Sequence, residues 1–146
     1  MARQLFTVGY EGVRIDTFIA NLLSHGVTCV LDVRALPLSR KPGFSKNRLA
    51  QRLEESKIDY VHLGELGTPK AIRDDLKSTK DYLTFFAKVE RHLSRKKDAL
   101  ELAYKYVTHG TCCLMCFEHL AAECHRKIVA RNIKARDGNG LKVVHI

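Results

Sequence analysis

Thiol, imidazole, carboxylate and guanidinium side chains lie close together in one segment of the last third of the chain. Cys116 and Glu118 are two residues apart, a spacing that places both side chains on one face of a strand. Cys124, His125 and Arg126 follow where the next helix is predicted to begin. A thiol at a helix amino terminus beside a cation has a lowered pKa, so Cys116 or Cys124 could act as a thiolate nucleophile. The same backbone N–H groups, with Arg126, could instead bind a phosphate or a carboxylate.

Metal binding is an alternative chemistry for these sulfur atoms. Cys113 and Cys116 have CxxC spacing, but alternation along a strand would point their thiols to opposite faces, and the second ligand pair of a zinc knuckle is missing. A mixed site from Cys116, Cys124 and either His125 or His119 stays open. Because no four-ligand spacing is recognisable, we predict neither a resident metal nor another cofactor. The third alternative is that the cysteines only pack in the core.

The loop after the second predicted strand carries both charge and an aromatic ring. Asp32 and Arg34 end the strand, and Arg40 and Phe44 follow in the segment ALPLSRKPGF. A basic loop with an aromatic side chain can grip phosphates and stack on a base, as single-stranded nucleic-acid sites do. A solvated loop has the same composition, and Asp32 could also pair with Arg126 in the interior.

Two more strand ends carry polar residues. Tyr10 follows the first strand, and His62 and Glu65 lie at the end of the third, where they could act as general acid or base groups. His62 could instead be a strand-end histidine bonded to the backbone. Because the carboxyl ends of parallel strands meet at one edge of a sheet, we expect these residues to share a crevice with Asp32 and Cys116.

The elements that must position these residues alternate between strands and helices. Apolar or β-branched runs predict five strands, over residues 5–9, 27–33, 58–63, 111–117 and 141–146. Helical periodicity predicts helices over residues 14–26, after Ser45 as the amino-terminal cap, from 82 to 107 with a charged break, and over 124–133. This alternation predicts one domain, residues 1–146, with a three-layer α/β/α, Rossmann-like fold around a mainly parallel five-stranded sheet. We expect the strand order 3-2-1-4-5, which sets the first and fourth strands side by side.

The composition limits the class of protein. A formal charge of +9 at pH 7 would attract polyanions and phosphorylated ligands, although scattered Lys and Arg could simply keep the surface soluble. The five cysteines are Cys29 and a cluster between 112 and 124, unlike the dispersed even set of a secreted disulfide scaffold. Neither a signal peptide nor an apolar run of roughly 20 residues is visible, so we expect a cytoplasmic protein without membrane contact. Nothing in the sequence indicates its oligomeric state.

The motifs, in this order, resemble a known family. They are TVGYEG near the start, LDVRALPLSRKPGFS, YVHLGELG, LMCFEHLAAECHR and the final VVHI. Together they span nearly the whole chain, and they resemble the prokaryotic domain-of-unknown-function family DUF 488. The resemblance implies an α/β fold and a common site at the motif residues, and it implies no particular reaction. Asp32, Val33 and Arg34 are also similar to a segment of rhodanese-like domains, which place a reactive cysteine in a loop around an anion.

The leading functional hypothesis is an enzyme that acts on a phosphate-bearing substrate, either a nucleotide or a nucleic acid. Arg34, Arg40 and Arg126 would hold the anion, and Phe44 would stack on a ring. The first alternative is a nucleic-acid-binding or regulatory module without chemistry.

The catalytic groups of this hypothesis come from the ends of the second and fourth strands and from the start of the last helix. Glu118 or Asp32 would transfer protons, and Cys116 or Cys124, beside His125, would be a nucleophile or a structural thiol. The second alternative is a thiol-based or metal-dependent sensor that uses the same cysteines and histidine.

Overall fold

The computed structural model describes residues 3–118, 120 and 124–146, and within these ranges helices alternate with short strands. The strands are β1 (Gln4–Gly9), β2 (Cys29–Asp32), β3 (Asp59–His62), β4 (Cys112–Cys116) and β5 (Lys142–His145). The helices are α1 (Ile15–Ser24), α2 (Lys46–Glu55), α3 (Lys70–Thr79), α4 (Tyr82–Leu93), α5 (Lys97–His109) and α6 (Arg126–Ala135), with a 3-10 turn at Gly64–Leu66. None of the helices in these ranges combines the length and the apolar character needed to cross a membrane.

The five strands form one sheet in which every pair of neighbours is parallel, in the order β3-β2-β4-β1-β5. The predicted three-layer α/β fold is therefore confirmed. The expected order 3-2-1-4-5 is wrong: β1 and β4 are neighbours, as expected, but β4 lies between β1 and β2. Short apolar strands are interchangeable in local pattern, and the packing of the whole helix layers decides which of them pair.

The two faces of the sheet are covered by different helices. Side chains of α1 and α2 pack on one face with Cys113 and Met115, whereas α4, α5 and α6 pack on the other with Leu114 and Cys116. The structure thus confirms that Cys113 and Cys116 point to opposite faces, because side chains alternate along β4. Cys112 and Cys113 are fully buried.

The helical region between β3 and β4 differs in detail from the prediction. It starts earlier, with α3. This helix is terminated by Lys80, which has a left-handed backbone conformation (φ 54°). Asp81 then caps α4 by accepting a hydrogen bond from the Thr84 backbone N–H. Leu102 and Tyr106, which helical periodicity over residues 82–107 would place on the apolar face, are exposed. The buried face of α5 consists instead of Ala99, Leu100, Ala103 and Val107.

Ser45 occupies the predicted amino-terminal position of α2, but its side chain does not cap the helix. Its hydroxyl donates to the Ser39 carbonyl oxygen and accepts from the Ser39 backbone, both at 3.0 Å. These bonds close the loop that follows β2, so the loop returns to the sheet just before Phe44.

Candidate functional site

A pocket of about 390 Å³ opens at the carboxyl ends of β1, β2 and β4. Five of the predicted site residues line it: Tyr10, Arg34, Cys116, Glu118 and His125. They come from three different strand ends and from the start of α6, and the sheet brings them together as parallel topology requires. Their functional roles stay predictions.

Asp32 and Arg34 form a buried ion pair beneath this pocket. We call this pair, together with Tyr60, the Asp32–Arg34 centre. Asp32 accepts from Arg34 Nε at 2.8 Å, from Arg34 Nη2 at 2.6 Å and from the Tyr60 hydroxyl at 2.5 Å. Arg34 Nη1 also donates to the Phe44 carbonyl oxygen at 2.7 Å and to the Tyr10 hydroxyl at 3.3 Å. The carboxylate is fully buried, so Asp32 does not reach the pocket.

The charges of this centre are matched within the protein. Burial alone would lower the pKa of Arg34, but the hydrogen bonds and the charge of Asp32 raise it above its ordinary value. Burial raises the pKa of Tyr60, and Asp32 adds to the rise because the phenol donates to its carboxylate. The centre therefore holds the Arg34 guanidinium in one orientation at the pocket wall.

A second group of buried polar side chains, the sulfur cluster, consists of Cys116, Cys124, His125 and Arg126. The two cysteines form a disulfide, and each is only 1% exposed. The Arg126 backbone N–H donates to Cys124 Sγ at 3.4 Å, and Arg126 Nη1 donates to Cys116 Sγ at 3.3 Å. The cluster thus places a cation and a helix amino terminus directly at the sulfur atoms.

The hydrogen bond of His125 defines its tautomer. Its Nε2 lies 2.9 Å from the Val33 carbonyl oxygen, which can only accept, so Nε2 carries the proton. Nδ1 is then a lone-pair acceptor, and it lies 3.7 Å from Cys124 Sγ. Burial lowers the pKa of His125 to about 4, and the imidazole is neutral at pH 7.

Glu118 places its carboxyl group beside the sulfur cluster. Its Oε2 lies 3.7 Å from Cys116 Sγ, and its backbone carbonyl accepts from Arg126 Nη1. Burial raises the pKa of Glu118, and the Glu11 carboxylate adds to the rise while Arg126 opposes it. A partly buried carboxyl group with a raised pKa that faces a pocket is suited to proton transfer.

Among the described residues, Arg126 is the largest fully buried side chain, and it crosses the end of β1. Its Nε donates to Thr7 Oγ1 at 3.2 Å, and burial lowers its pKa. The chain at Glu118 passes so close to Gly9 that a Cβ there would collide with the Glu118 carbonyl and lie 2.9 Å from Arg126 Nη1. Only glycine leaves room at this crossing.

Phe44 and Arg40 do not line the pocket. Phe44 is fully buried, stacked on Tyr10 with 4.4 Å between the ring centroids and edge-on to Phe18. Its ring therefore supports the pocket wall from below and is not exposed for stacking on a ligand. Arg40 is exposed on the loop between β2 and α2.

His62 and Glu65 also lie outside the pocket lining. His62 Nε2 bonds to the Arg34 carbonyl oxygen at 2.8 Å, as in the structural interpretation of a strand-end histidine. Glu65 is exposed, and its backbone carbonyl accepts from the His92 ring at 3.1 Å. His119, the alternative metal ligand, lies outside the described residues.

Other side chains that line the pocket were not among the predicted site residues, and four of them bear on binding. Arg73 and Lys77, one turn apart on α3, are exposed at its rim, and Phe117 is 46% exposed and edge-on to Tyr10. Thr68 lines the pocket while only 4% exposed, and among the described residues its hydroxyl has no hydrogen-bond partner. The i, i+4 spacing of the two cations was the signal that could have revealed this face.

Comparison with known proteins gives a family but no activity. The family model described as a domain of unknown function, DUF488, matches residues 14–133. No curated protein and no solved structure matches the chain. The similarity of Asp32, Val33 and Arg34 to rhodanese-like domains is not supported by these comparisons, and in the structure the two charged residues pair with each other. Because the match covers most of its length, the chain belongs to the DUF488 family of domains of unknown function.

Proposed function

We propose that the protein is an enzyme that acts on a phosphate-bearing small molecule of nucleotide size, bound in the pocket at the carboxyl ends of β1, β2 and β4. The observation that carries the proposal is the meeting of Glu118 and Cys116 at the floor of a pocket whose rim presents Arg73 and Lys77. A volume of about 390 Å³ falls within the range of about 300–1,000 Å³ typical of small-molecule sites.

The rim supports binding of an anion. Among the described residues, the side chains of Arg73 and Lys77 form no ion pair or hydrogen bond, so both cations are available to a ligand. Deeper in the pocket, the Thr68 hydroxyl can bond a phosphate or sugar oxygen, which would relieve the cost of a buried unpaired group. Arg34 and Tyr10 extend the polar wall, and the exposed ring of Phe117 offers a face for a base.

The floor supports catalysis. Glu118 has a raised pKa and faces the space that a substrate would fill, so it can take up or release a proton during the reaction. Its neighbour Cys116 brings sulfur to the same place, and neutral His125 adds an imidazole beside it. In this proposal the anion is held at the rim and the bond change occurs at the floor.

Calorimetric titration with inorganic phosphate and a panel of nucleoside monophosphates tests binding. The double variant Arg73→Ala, Lys77→Ala should weaken the affinity at least about tenfold, because two charge-assisted contacts are lost. Lys70→Ala is the matched control, since it removes the same charge from the same helix outside the pocket lining. Equal affinity of the double variant and the wild type would rule out the rim as the anion site.

Turnover is tested separately with the bound compounds. Glu118→Gln should keep the affinity and lose conversion, because the amide keeps the size of the carboxyl group but cannot exchange its proton. Binding of nucleic acid that falls steeply with salt, with no conversion of any bound compound, would favour the non-catalytic binding module instead.

A further inference from the structure

We infer that Cys116, Cys124 and His125 form a metal site for a zinc-class divalent cation at the floor of the pocket in the reduced protein. Their ligand atoms, two sulfurs and one ring nitrogen, all lie within 4.8 Å of one another. Sulfur and imidazole together are the donor set that zinc prefers. The Cα atoms of the two cysteines are 7.6 Å apart, beyond the 4.4–6.8 Å that disulfides usually span, so after reduction the sulfurs can separate around an ion without the backbone having to move apart.

The environment of His125 prepares the ring for metal binding. Its Nε2–H donates to the Val33 carbonyl oxygen at 2.9 Å, which leaves the Nδ1 lone pair free on the side of the sulfur atoms. Ligating histidines almost always donate their other ring nitrogen in this way, because the bond fixes the tautomer and the ring orientation. The hydrogen bond to Val33 therefore fits His125 as a metal ligand better than it fits a histidine that only packs in the core.

Hydrogen-bond donors surround the two sulfur atoms, as they often surround metal-bound thiolates. Cys124 Sγ accepts from the backbone N–H of Arg126 at the start of α6, and Cys116 Sγ accepts from the Arg126 guanidinium. A divalent cation with two thiolates carries no net charge, so its burial next to a cation costs little.

Three protein ligands leave one coordination position open, as in catalytic zinc sites. Cys116 and His125 both line the pocket, and so does Glu118, whose Oε2 lies 3.7 Å from Cys116 Sγ. A cation here would act as a Lewis acid on a substrate oxygen or on a bound water, with Glu118 placed to exchange the proton. The inference goes beyond the proposed function and does not require it, because metal binding is measurable without a substrate.

The disulfide is the metal-free, oxidised form of the same cluster. A dithiol reductant transfers two electrons and two protons to the bond, which gives two thiols and an oxidised reductant. Binding of the divalent cation to the two sulfurs then releases the two thiol protons. Oxidation should therefore expel the metal.

Elemental analysis of the full-length protein tests the inference. The protein is reduced with a phosphine, incubated with Zn²⁺ alone, desalted and analysed, and about one equivalent should be retained. Cys116→Ser, Cys124→Ser and His125→Asn should each lose most of it. Cys29→Ser is the matched control, because this buried cysteine of β2 lies outside the cluster and should retain the equivalent.

Cobalt substitution of the wild-type protein keeps the inference falsifiable if the variants fail to fold. Thiolate-to-cobalt charge-transfer absorption should appear in the reduced protein and disappear on oxidation, and its absence would overturn the site. Retention of zinc by all three variants would also overturn it. The variant Arg73→Ala, Lys77→Ala should keep the metal even while phosphate binding is lost, so failure of the metal site and failure of the proposed function give different results.

Discussion

The Asp32–Arg34 centre and the sulfur cluster lie at the ends of neighbouring strands, and each buries an arginine, yet the pKa values of the two arginines are shifted in opposite directions. Arg34 faces a carboxylate at 2.6 Å, and its pKa is raised. Arg126 donates to a hydroxyl, a backbone carbonyl and a sulfur, and its pKa is lowered by burial. The comparison teaches that the ion pair with Asp32 outweighs burial at Arg34, whereas burial dominates at Arg126, beside side chains that line the pocket.

The two regions are joined through one backbone carbonyl. Val33 lies between the two charged residues of the centre, and its carbonyl oxygen accepts from His125. The ion pair therefore orients the segment that in turn orients the imidazole at the sulfur atoms. The Asp-Val-Arg sequence therefore supports the pocket from beneath, with its carboxylate bonded to Arg34 and Tyr60.

The largest effect should come from breaking the completed centre. Asp32→Ala leaves the buried guanidinium of Arg34 without its carboxylate, and loss of one partner of a buried pair costs about 3–5 kcal/mol of unfolding free energy. Urea unfolding measures the loss. As a control, Asp16→Asn breaks the exposed pair with Arg52 and should change stability little. A loss below about 1 kcal/mol for Asp32→Ala would show that the centre does not hold the fold together.

The sulfur cluster should make stability depend on pH in the oxidised, metal-free protein. His125 has a folded-state pKa of about 4 against 6.5 for the free side chain. Between these pH values the unfolded chain binds a proton at this residue and the folded protein does not. Stability should fall as the pH drops through this interval, by about 3 kcal/mol in total, because one pKa unit corresponds to about 1.36 kcal/mol.

Unfolding curves measured at several pH values between 7 and 4 check this dependence on His125. The slope between pH 6.5 and 4 should be much smaller in His125→Gln, while His25→Gln, a change of an exposed histidine, should keep the wild-type slope. Equal slopes in all three proteins would contradict a buried neutral imidazole.

The end of β1 should tolerate no side chain at Gly9, because the chain at Glu118 passes directly over it. Gly9→Ala forces its Cβ into the Glu118 carbonyl, and overpacking of this kind costs about 1–3 kcal/mol. The matched change is Gly138→Ala, where a Cβ meets nothing within 4 Å. Thermal unfolding of both variants gives the comparison, and an equal melting temperature for the two would mean that the chain at Glu118 moves aside freely.

The smallest effect on stability should come from the unpaired hydroxyl of the pocket. Thr68→Val removes a buried group that has no partner in the described part of the chain, so the unfolding free energy should be unchanged or up to about 1 kcal/mol higher. Thr7→Val should instead destabilise, because the Thr7 hydroxyl accepts from Arg126 and bonds to His145. If the hydroxyl serves a ligand, Thr68→Val should also weaken phosphate binding in the calorimetric titration. A destabilised protein with unchanged affinity would contradict both expectations.

Part of this architecture could be predicted from local pattern. Apolar runs of strand length separated by amphipathic helices predicted the layers. The alternation of side chains along β4 predicted that Cys113 and Cys116 point to opposite faces of the sheet. The approach of Tyr10, Arg34, Cys116 and Glu118 to one pocket follows from parallel strands, whose carboxyl ends share an edge.

Other features were outside the reach of such patterns. A basic loop with an aromatic ring has the same composition whether the ring faces a ligand or, as for Phe44, the interior. The helix α3 supplies Arg73 and Lys77 to the pocket, and its position over the strand ends depends on packing against distant parts of the chain.

By itself the sequence determined the types of element and which chemical groups stand at strand ends, because hydrophobic periodicity and side-chain alternation are properties of neighbouring residues. Only the tertiary structure decided that Asp32 is closed off by Arg34, that β4 separates β1 from β2, and that the two cysteine sulfurs meet beside His125. The strand order depends on contacts between residues far apart in the chain, and the local groups, Asp32 with Arg34 and Cys116 with Cys124, are buried only because distant elements pack over them. Such contacts are chosen by the packing of whole layers and by the need to pair every buried charge.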